Sequence, residues 1–376
     1  MAEKALSVQL SSRVKSLEIS IVVPTYNEST NIREFLRRLQ VALGATSWEA
    51  VFVDDDSPDK TAQLVRSIAL TDHRVRVLQR LGRRGLSTAC IEGMFATSAP
   101  VIAVMDGDLQ HDESILTTML SRLQDESADI AIGTRYGAGG SLGEWDSTRR
   151  NMSSLATRAS KFVIGLAVSD PMSGYFMLRR DALEAMAGGL SGRGFKILLD
   201  LLASSPRKLK IIEVPYTFRE RISGDSKLDS FVIWEYGMLL IDKTVGRYIP
   251  AEFFSFCLIG GFGVVAHMAV LSLLYKATSV EFTVAQGIAT ASAMVLNFSF
   301  NNVLTYRDRR LRGMKWWTGL ASFALVCGVG AIGNVGVASY LFANNTQWAL
   351  AAIAGILISA VWNFAATRIY TWGKKT

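Results

Sequence analysis

The sequence predicts an α/β domain with a mostly parallel sheet, followed by an all-α domain of four transmembrane helices, on three observations. Short Ile- and Val-rich runs alternate with helical apolar patterns as far as Leu228, and from Phe253 onward long apolar segments take over. Each early strand-like run also ends in a polar loop, the position at which open α/β sheets hold ligands.

Residues 1–16 are polar and unpatterned and read as a tail. Leu17 to Val23 reads as a first strand, ends in Pro24-Thr25-Tyr26-Asn27-Glu28, and is followed by a helix from Asn31 to Leu43. Trp48 to Val53 is a second strand, ending in Asp54-Asp55-Asp56-Ser57-Pro58-Asp59, with a helix near Thr61 to Ala69 and a short strand from Val75 to Leu78. The loop Gly82-Arg83-Arg84-Gly85-Leu86 opens a helix through Ser87 to Ala96, and Val101 to Met105 forms a fourth strand. Ser114 to Leu123 is helical, Ile130 to Gly133 is a strand leading to Thr134-Arg135-Tyr136, and Gly137 to Asp146 has the glycine-rich composition of a flap. Arg149-Arg150-Asn151-Met152-Ser153 then opens a helix running toward Leu166.

The second half is a membrane pattern. Segments of roughly Phe253 to Tyr275, Phe282 to Leu304, Thr318 to Ala343 and Trp348 to Ala366 each approach the ~20 residues that cross a bilayer. The chain of 376 residues carries a net charge of +7, which in isolation suits nucleic acid. Its basic residues lie elsewhere than a nucleic-acid site needs, however, because Arg307, Arg309, Arg310, Arg312 and Lys315 sit between the second and third spans and Lys374 and Lys375 follow the fourth. The positive-inside rule therefore predicts that both chain ends, and with them the N-terminal half, are cytoplasmic. The first ~17 residues lack the apolar core of a signal peptide, in line with that expectation. Residues 229–250, with Phe231, Trp234, Met238, Leu239, Ile241, Val245 and Tyr248, read as an amphipathic stretch, either interfacial or packed on a domain. Three scattered cysteines, Cys90, Cys257 and Cys327, imply no disulfide framework.

Ala103 to His111 carries the chemistry, since its apolar run ends in Asp106-Gly107-Asp108-Leu109-Gln110-His111. On a strand, residues i and i+2 point to one face, so Asp106 and Asp108 are expected to converge on one cation while Gly107 lets a ligand approach the backbone. Hard oxygen donors of this kind suit Mg²⁺ or Mn²⁺ bridged to phosphate. Taken singly, each rim cluster also has a plain explanation: Asn27-Glu28 as a helix cap, Asp56 to Asp59 as a turn, Arg83-Arg84 as a solvated loop. Their recurrence at successive strand ends favours a nucleotide site. His73 and His111 have no sequence partners for a metal cluster, and His267 reads as a packed residue.

These motifs resemble, in order, those of the polyprenyl-phosphate hexosyltransferases among the family 2 glycosyltransferases, most of all the dolichyl-phosphate mannose synthases. The resemblance runs from about Ile19 to Leu228 and includes Ser173-Gly174-Tyr175-Phe176, Phe195-Lys196-Ile197-Leu198-Leu199 and Arg221 through Leu228. It implies a GT-A fold over residues 17–228, and residues 251–376 resemble the GtrA-type membrane domain. Asn297-Phe298 with Thr305-Tyr306 and Asn363-Phe364 with Thr371-Trp372 keep one spacing, which reads as two related helical hairpins.

The resemblance further implies that Asp106, Asp108 and Gln110 bind the metal and the donor diphosphate, with Gly107 between them. Pro24, Tyr26, Glu28, Val53 and Asp55 are implied to hold a guanosine, and Lys196 to lie near the donor. Arg135, Arg149, Ser153, Arg221 and Lys227 are implied around the acceptor and transferred-sugar phosphates. The implied activity is inverting transfer of mannose from GDP-mannose to a polyprenyl phosphate at the cytosolic face of the bilayer. An acceptor phosphate is already anionic, so the site needs positioned cations and no general base. UDP-glucose as donor, or a lipid flippase with a fused non-catalytic domain, are the alternatives. The chain departs from the family pattern at Gly107, where Ala is commoner, at Asp112-Glu113, where prolines are usual, and at Asp225, where Glu is commonest.

Overall fold

A computed structural model describes residues 16–136, 163, 165, 168–219, 230–246, 248–278 and 280–373. Two compact units divide the chain at Thr244 and Val245. The expected flap at residues 137–146, together with Arg149, Ser153, Arg221 and Lys227, lies outside the described residues.

In the first unit, β1 (Ile19–Thr25), α1 (Ile32–Leu43), β2 (Trp48–Asp54), α2 (Thr61–Ala69), β3 (Val75–Gln79), α3 (Leu86–Phe95) and β4 (Val101–Val104) follow one another as strand and helix in alternation. The chain continues through α4 (Leu116–Asp125), β5 (Ile130–Thr134), β6 (Phe176–Arg179), α5 (Arg180–Met186), α6 (Ile197–Ser204), β7 (Ile211–Pro215) and α7 (Ser230–Val245). The described strands form one sheet in the order β3-β2-β1-β4-β6-β5-β7. Pairing is parallel except at β6, which runs against both β4 and β5.

Strand periodicity divides the core between two faces. Ile19, Ile21, Val23, Ala50, Phe52 and Ala103 point to the side covered by α1 and α4. Val22, Val51, Val53, Ile102 and Val104 point to the side covered by α3, α5 and α6. On that second face α3 lies unusually close to the sheet, because a Cβ on Gly93 would collide with Val22 Cγ1 and stand 2.8 Å from Val53 Cγ2. Helix α7 belongs to this unit as a packed element: Met238 and Leu239 are buried, and Lys243 forms a buried ion pair with Asp200 while donating to Gly189 O.

The second unit contains α8 (Ala251–Ala277), α9 (Phe282–Phe300), α10 (Met314–Ala343) and α11 (Trp348–Ala366). Among the described residues, three stretches are long and apolar enough to cross a membrane: Ala251–Ala277, Met314–Ala343 and Trp348–Thr371. The expected second span forms a helix, α9, but is not among these, its apolar run being interrupted by Gln286 and Asn297. The hairpins α8/α9 and α10/α11 repeat one another in detail. Each ends in a π-helical turn, Asn301–Thr305 and Thr367–Thr371. Ser255 bonds Thr305 in the first as Ser322 bonds Thr371 in the second, and Gly263 faces Asn297 as Gly330 faces Asn363. The hairpins meet in an aromatic cluster where Tyr306 stacks on Trp372 with ring centroids 4.2 Å apart, and Trp372 Nε1 donates to Asn302 Oδ1 at 3.1 Å.

Gly93→Ala is expected to destabilise the first unit by about 1–3 kcal/mol, because neither Val22 nor Val53 has room to move within the sheet. Chemical denaturation of the purified protein checks this; an unchanged midpoint would show that α3 can move away from the sheet freely.

Candidate active site

The loops after β1, β2 and β3 are stitched into one rim by short polar bonds. Asn27 takes the left-handed conformation that asparagine tolerates, and its N–H donates to Ser57 Oγ at 3.0 Å. Glu28 N donates to Thr61 Oγ1 and Ser29 N to Asp59 Oδ2, so the first loop lies along the second. The Glu28 carboxylate accepts from Asn31 Nδ2 at 2.7 Å, at the start of α1. Tyr26 lies under the Arg84 guanidinium, 4.3 Å from ring centroid to Cζ, which brings the glycine-flanked basic loop over the first loop. Pro24 and Val53 pair in register on adjacent strands, both buried, and the Val53 side chain serves the core.

The three consecutive aspartates of the second loop do different work. Asp54 folds the loop on itself by accepting from Ser57 N and Ser57 Oγ. Asp56 accepts from Gly82 N. Asp55 reaches across to the third loop, accepting from Gly85 N at 2.7 Å and pairing with Arg80 Nη1 at 3.1 Å. Burial raises the Asp55 carboxyl pKa, and the Gly85 N–H and Arg80 act against that without reversing it. Arg80 is itself buried and also donates to Gly85 O and Thr88 Oγ1, so one guanidinium fixes both the acid and the loop.

The carboxylates after β4 stand differently from the strand-based expectation. The strand ends at Val104, and Asp106 to Leu109 form a turn. The i, i+2 geometry of a strand thus does not apply. Leu109 has φ +64°, which costs roughly 1–2 kcal/mol in an L-residue and is held by burial of its side chain in the core. The turn separates the two acids by environment. The Asp106 side chain is 40% exposed, whereas Asp108 is 6% exposed and accepts from Gln110 N at 3.1 Å. Gly107 also has another reason than ligand approach: a Cβ there would meet Val23 Cγ1 at 3.3 Å and Thr25 Cγ2 at 3.5 Å. Gln110 Nε2 donates to Arg219 O at 3.1 Å, which leaves its Oε1 as the donor atom for a cation.

His111, which had no visible partner in the sequence, is buried behind Asp106. Its Nε2 lies 3.2 Å from Asp106 Oδ2 and its Nδ1 lies 2.8 Å from Tyr216 Oη. The Asp106 carboxylate can only accept, so a neutral His111 ring carries its proton on Nε2 and accepts the Tyr216 hydroxyl at Nδ1, and burial, which raises the Tyr216 pKa, keeps that phenol protonated. Gly174 leaves the space this contact needs, since a Cβ there would stand 3.1 Å from Asp106 Oδ2.

Asp106 opens on a cavity of about 170 Å³ whose walls include Cys90, Arg135, Gly174, Lys196 and Phe218. Arg135 is held by a bidentate pair with buried Asp170, at 2.8 and 3.0 Å, and lies against the Phe218 ring. Lys196 Nζ approaches Met172 O at 3.5 Å, and burial lowers its pKa below the ordinary lysine range, with the Arg135 cation adding to the shift. Asp106, Arg135 and Lys196, 90 residues apart in sequence at the extremes, are thus assembled around one cavity. Sequence reasoning missed Arg80, Asp170, Tyr216 and Arg219 because their roles depend on partners far away in the chain.

Residues 20–186 match the family described as Glycosyl transferase family 2, and residues 255–372 match the GtrA/DPMS transmembrane domain. A dolichol-phosphate mannosyltransferase of Pyrococcus furiosus is 31% identical over 95% of this chain and 99% of its own length. A dolichol-phosphate mannosyltransferase of Saccharomyces cerevisiae is 36% identical over 62% of this chain and 89% of its own. A polyprenol monophosphomannose synthase of Mycolicibacterium smegmatis is 33% identical over 57% and 82% respectively.

Asp170→Asn should destabilise the protein by about 3 kcal/mol or more, because it leaves the Arg135 guanidinium buried without its counter-charge. Thermal unfolding of the variant against wild type tests this, and equal midpoints would show that Arg135 can turn to solvent.

Proposed function

The chain belongs to the dolichol-phosphate mannosyltransferases, family 2 glycosyltransferases that here carry a GtrA/DPMS membrane domain, and we propose that it transfers mannose from GDP-mannose to a polyprenyl phosphate of dolichyl type. The observation that carries this reading is the cavity where the Asp106 carboxylate faces the Arg135 and Lys196 cations. A site joining two phosphate-bearing substrates needs fixed positive charge beside a carboxylate able to share a cation with the donor. At about 170 Å³ the cavity is smaller than the roughly 300–1,000 Å³ of most small-molecule sites, so it suits the transferred hexose and one phosphate rather than a whole nucleotide sugar.

In this reading Asp106, Asp108 and Gln110 Oε1 hold Mg²⁺ or Mn²⁺, which when bound offsets the charge on the departing diphosphate. The donor set fits: these are hard oxygens, and Mg²⁺ sites commonly take one or two carboxylates and complete their shell from phosphate and water. Among the described residues, no three His, Cys, Asp or Glu side chains group where they could hold a metal, and the third ligand in this reading is the Gln110 amide oxygen. Pro24, Tyr26, Glu28, Val53 and Asp55 line the guanosine side, Val53 through its backbone. Lys196 neutralises the donor phosphates from within the cavity, and Arg135, kept rigid by Asp170, holds the transferred sugar and acceptor phosphate in line. Arg149, Ser153, Arg221 and Lys227 complete the acceptor side. Direct attack by the acceptor phosphate oxygen inverts the anomeric centre and gives a β-linked product. The catalytic unit and both termini face the cytosol, where nucleotide sugar is available to a membrane-bound enzyme.

Asp108→Asn and Asp106→Ala are expected to lower transfer by at least ~10²-fold and to abolish its dependence on added Mn²⁺. A radiolabelled donor assay with short-chain polyprenyl phosphate, run with GDP-mannose and with UDP-glucose, reads both donor and reaction; preference for UDP-glucose would overturn the mannose assignment. Because the Lys196 pKa is lowered, its charge is present at low pH and lost as pH rises through a value below the ordinary lysine range. GDP-mannose affinity should therefore fall on the alkaline side, and Lys196→Arg should flatten that decline. Lys196→Gln should weaken binding about tenfold at neutral pH, as calorimetry with GDP-mannose would show.

A further inference from the structure

The segment leaving β7 grips the turn after β4 in two ways. The Arg219 backbone N–H donates to Gln110 O at 2.9 Å, and its carbonyl accepts from Gln110 Nε2 at 3.1 Å, a closed two-way pair between residues 109 apart. The Arg219 guanidinium then spreads over the next side chains of the same turn. Nη2 donates to Asp112 Oδ1 at 2.9 Å and Nη1 to Glu113 Oε2 at 2.8 Å, with the His111 carbonyl 3.3 Å from Nη1. Asp112 also accepts from Ser114 N, fixing the start of the turn that leads into α4.

Asp112 and Glu113 are adjacent acids, and one planar guanidinium whose fork reaches both holds them as a charged clasp.

We propose that Arg219 is a positioning residue: its clasp on Gln110, Asp112 and Glu113 sets the Gln110 amide with Oε1 turned toward the cation and donor diphosphate. The inference rests on the reading that this turn binds a metal nucleotide. A residue acting through another in this manner commonly governs about 10–100-fold in metal affinity.

The test uses the full-length protein in detergent, with Mn²⁺ binding followed by electron paramagnetic resonance in the presence of GDP, and KM measured for GDP-mannose and for a short-chain polyprenyl phosphate. Arg219→Ala should weaken Mn²⁺ binding about tenfold and raise KM for GDP-mannose more than KM for the polyprenyl phosphate. Arg219→Lys should recover part of the loss, because a lysine reaches one acid at a time. The double variant Asp112→Ala/Glu113→Ala keeps the backbone pair and should lose about threefold, with the wild-type sensitivity to added salt removed. Unchanged Mn²⁺ affinity in Arg219→Ala overturns the inference alone, as does a double variant that matches wild type at low and high salt. A wild-type protein that binds no Mn²⁺ with GDP overturns the functional reading and the inference together. Should Arg219→Ala fail to fold, the double variant decides the matter on its own.

Discussion

Charge buried at the edge of a sheet persists only where each ionised group finds a counter-charge or donated hydrogen bonds, since an unpaired one costs several kcal/mol. The catalytic unit meets that requirement with partners drawn from distant parts of the chain. Asp55 is held by Arg80 and Gly85, Asp170 by Arg135, and Asp200 by Lys243 together with Ser191 and Gly192. The first two pairs each join two loops, and the third joins two helices. The rim is therefore one electrostatic object, in which an acid placed for function is also the tie that holds its neighbour.

That constraint explains what the sequence disclosed and what it withheld. The alternation of strand and helix, the division of the core and the polar strand ends follow from local periodicity, and β1, β2 and α1 to α3 appear within a residue or two of expectation. The carboxylate turn stood out in the sequence because its acids adjoin a strand. Its geometry was not, because the strand stops at Val104 and tertiary burial stabilises the left-handed Leu109. His111 illustrates the limit more sharply: Tyr216, the partner that fixes its tautomer, is 105 residues away.

The reversal of β6 adds a second lesson. A parallel strand presents the loop that follows it at the active rim, and a reader of sequence looks there. Because β6 runs the other way, the residues that precede it reach the rim, and Ser173-Gly174-Tyr175 meets the carboxylate turn from the amino side of its strand. Tyr175 Oη donates to the Asp112 carbonyl, and its ring lies against His111. A single antiparallel strand thus brings a further loop to a rim that parallel strands alone would leave more open.

The membrane unit shows duplication at the level of individual atoms. Serine with threonine, glycine with asparagine, and a terminal π-helical turn each occur once per hairpin, with the aromatic stack Tyr306/Trp372 joining the two ends. In lipid, where apolar packing supplies no hydrophobic drive between helices, such close polar and small-residue contacts hold helix pairs together. Having two copies makes the fold of this unit redundant: damage to one clasp leaves its twin intact, so loss of order should spread by halves rather than through the whole bundle at once.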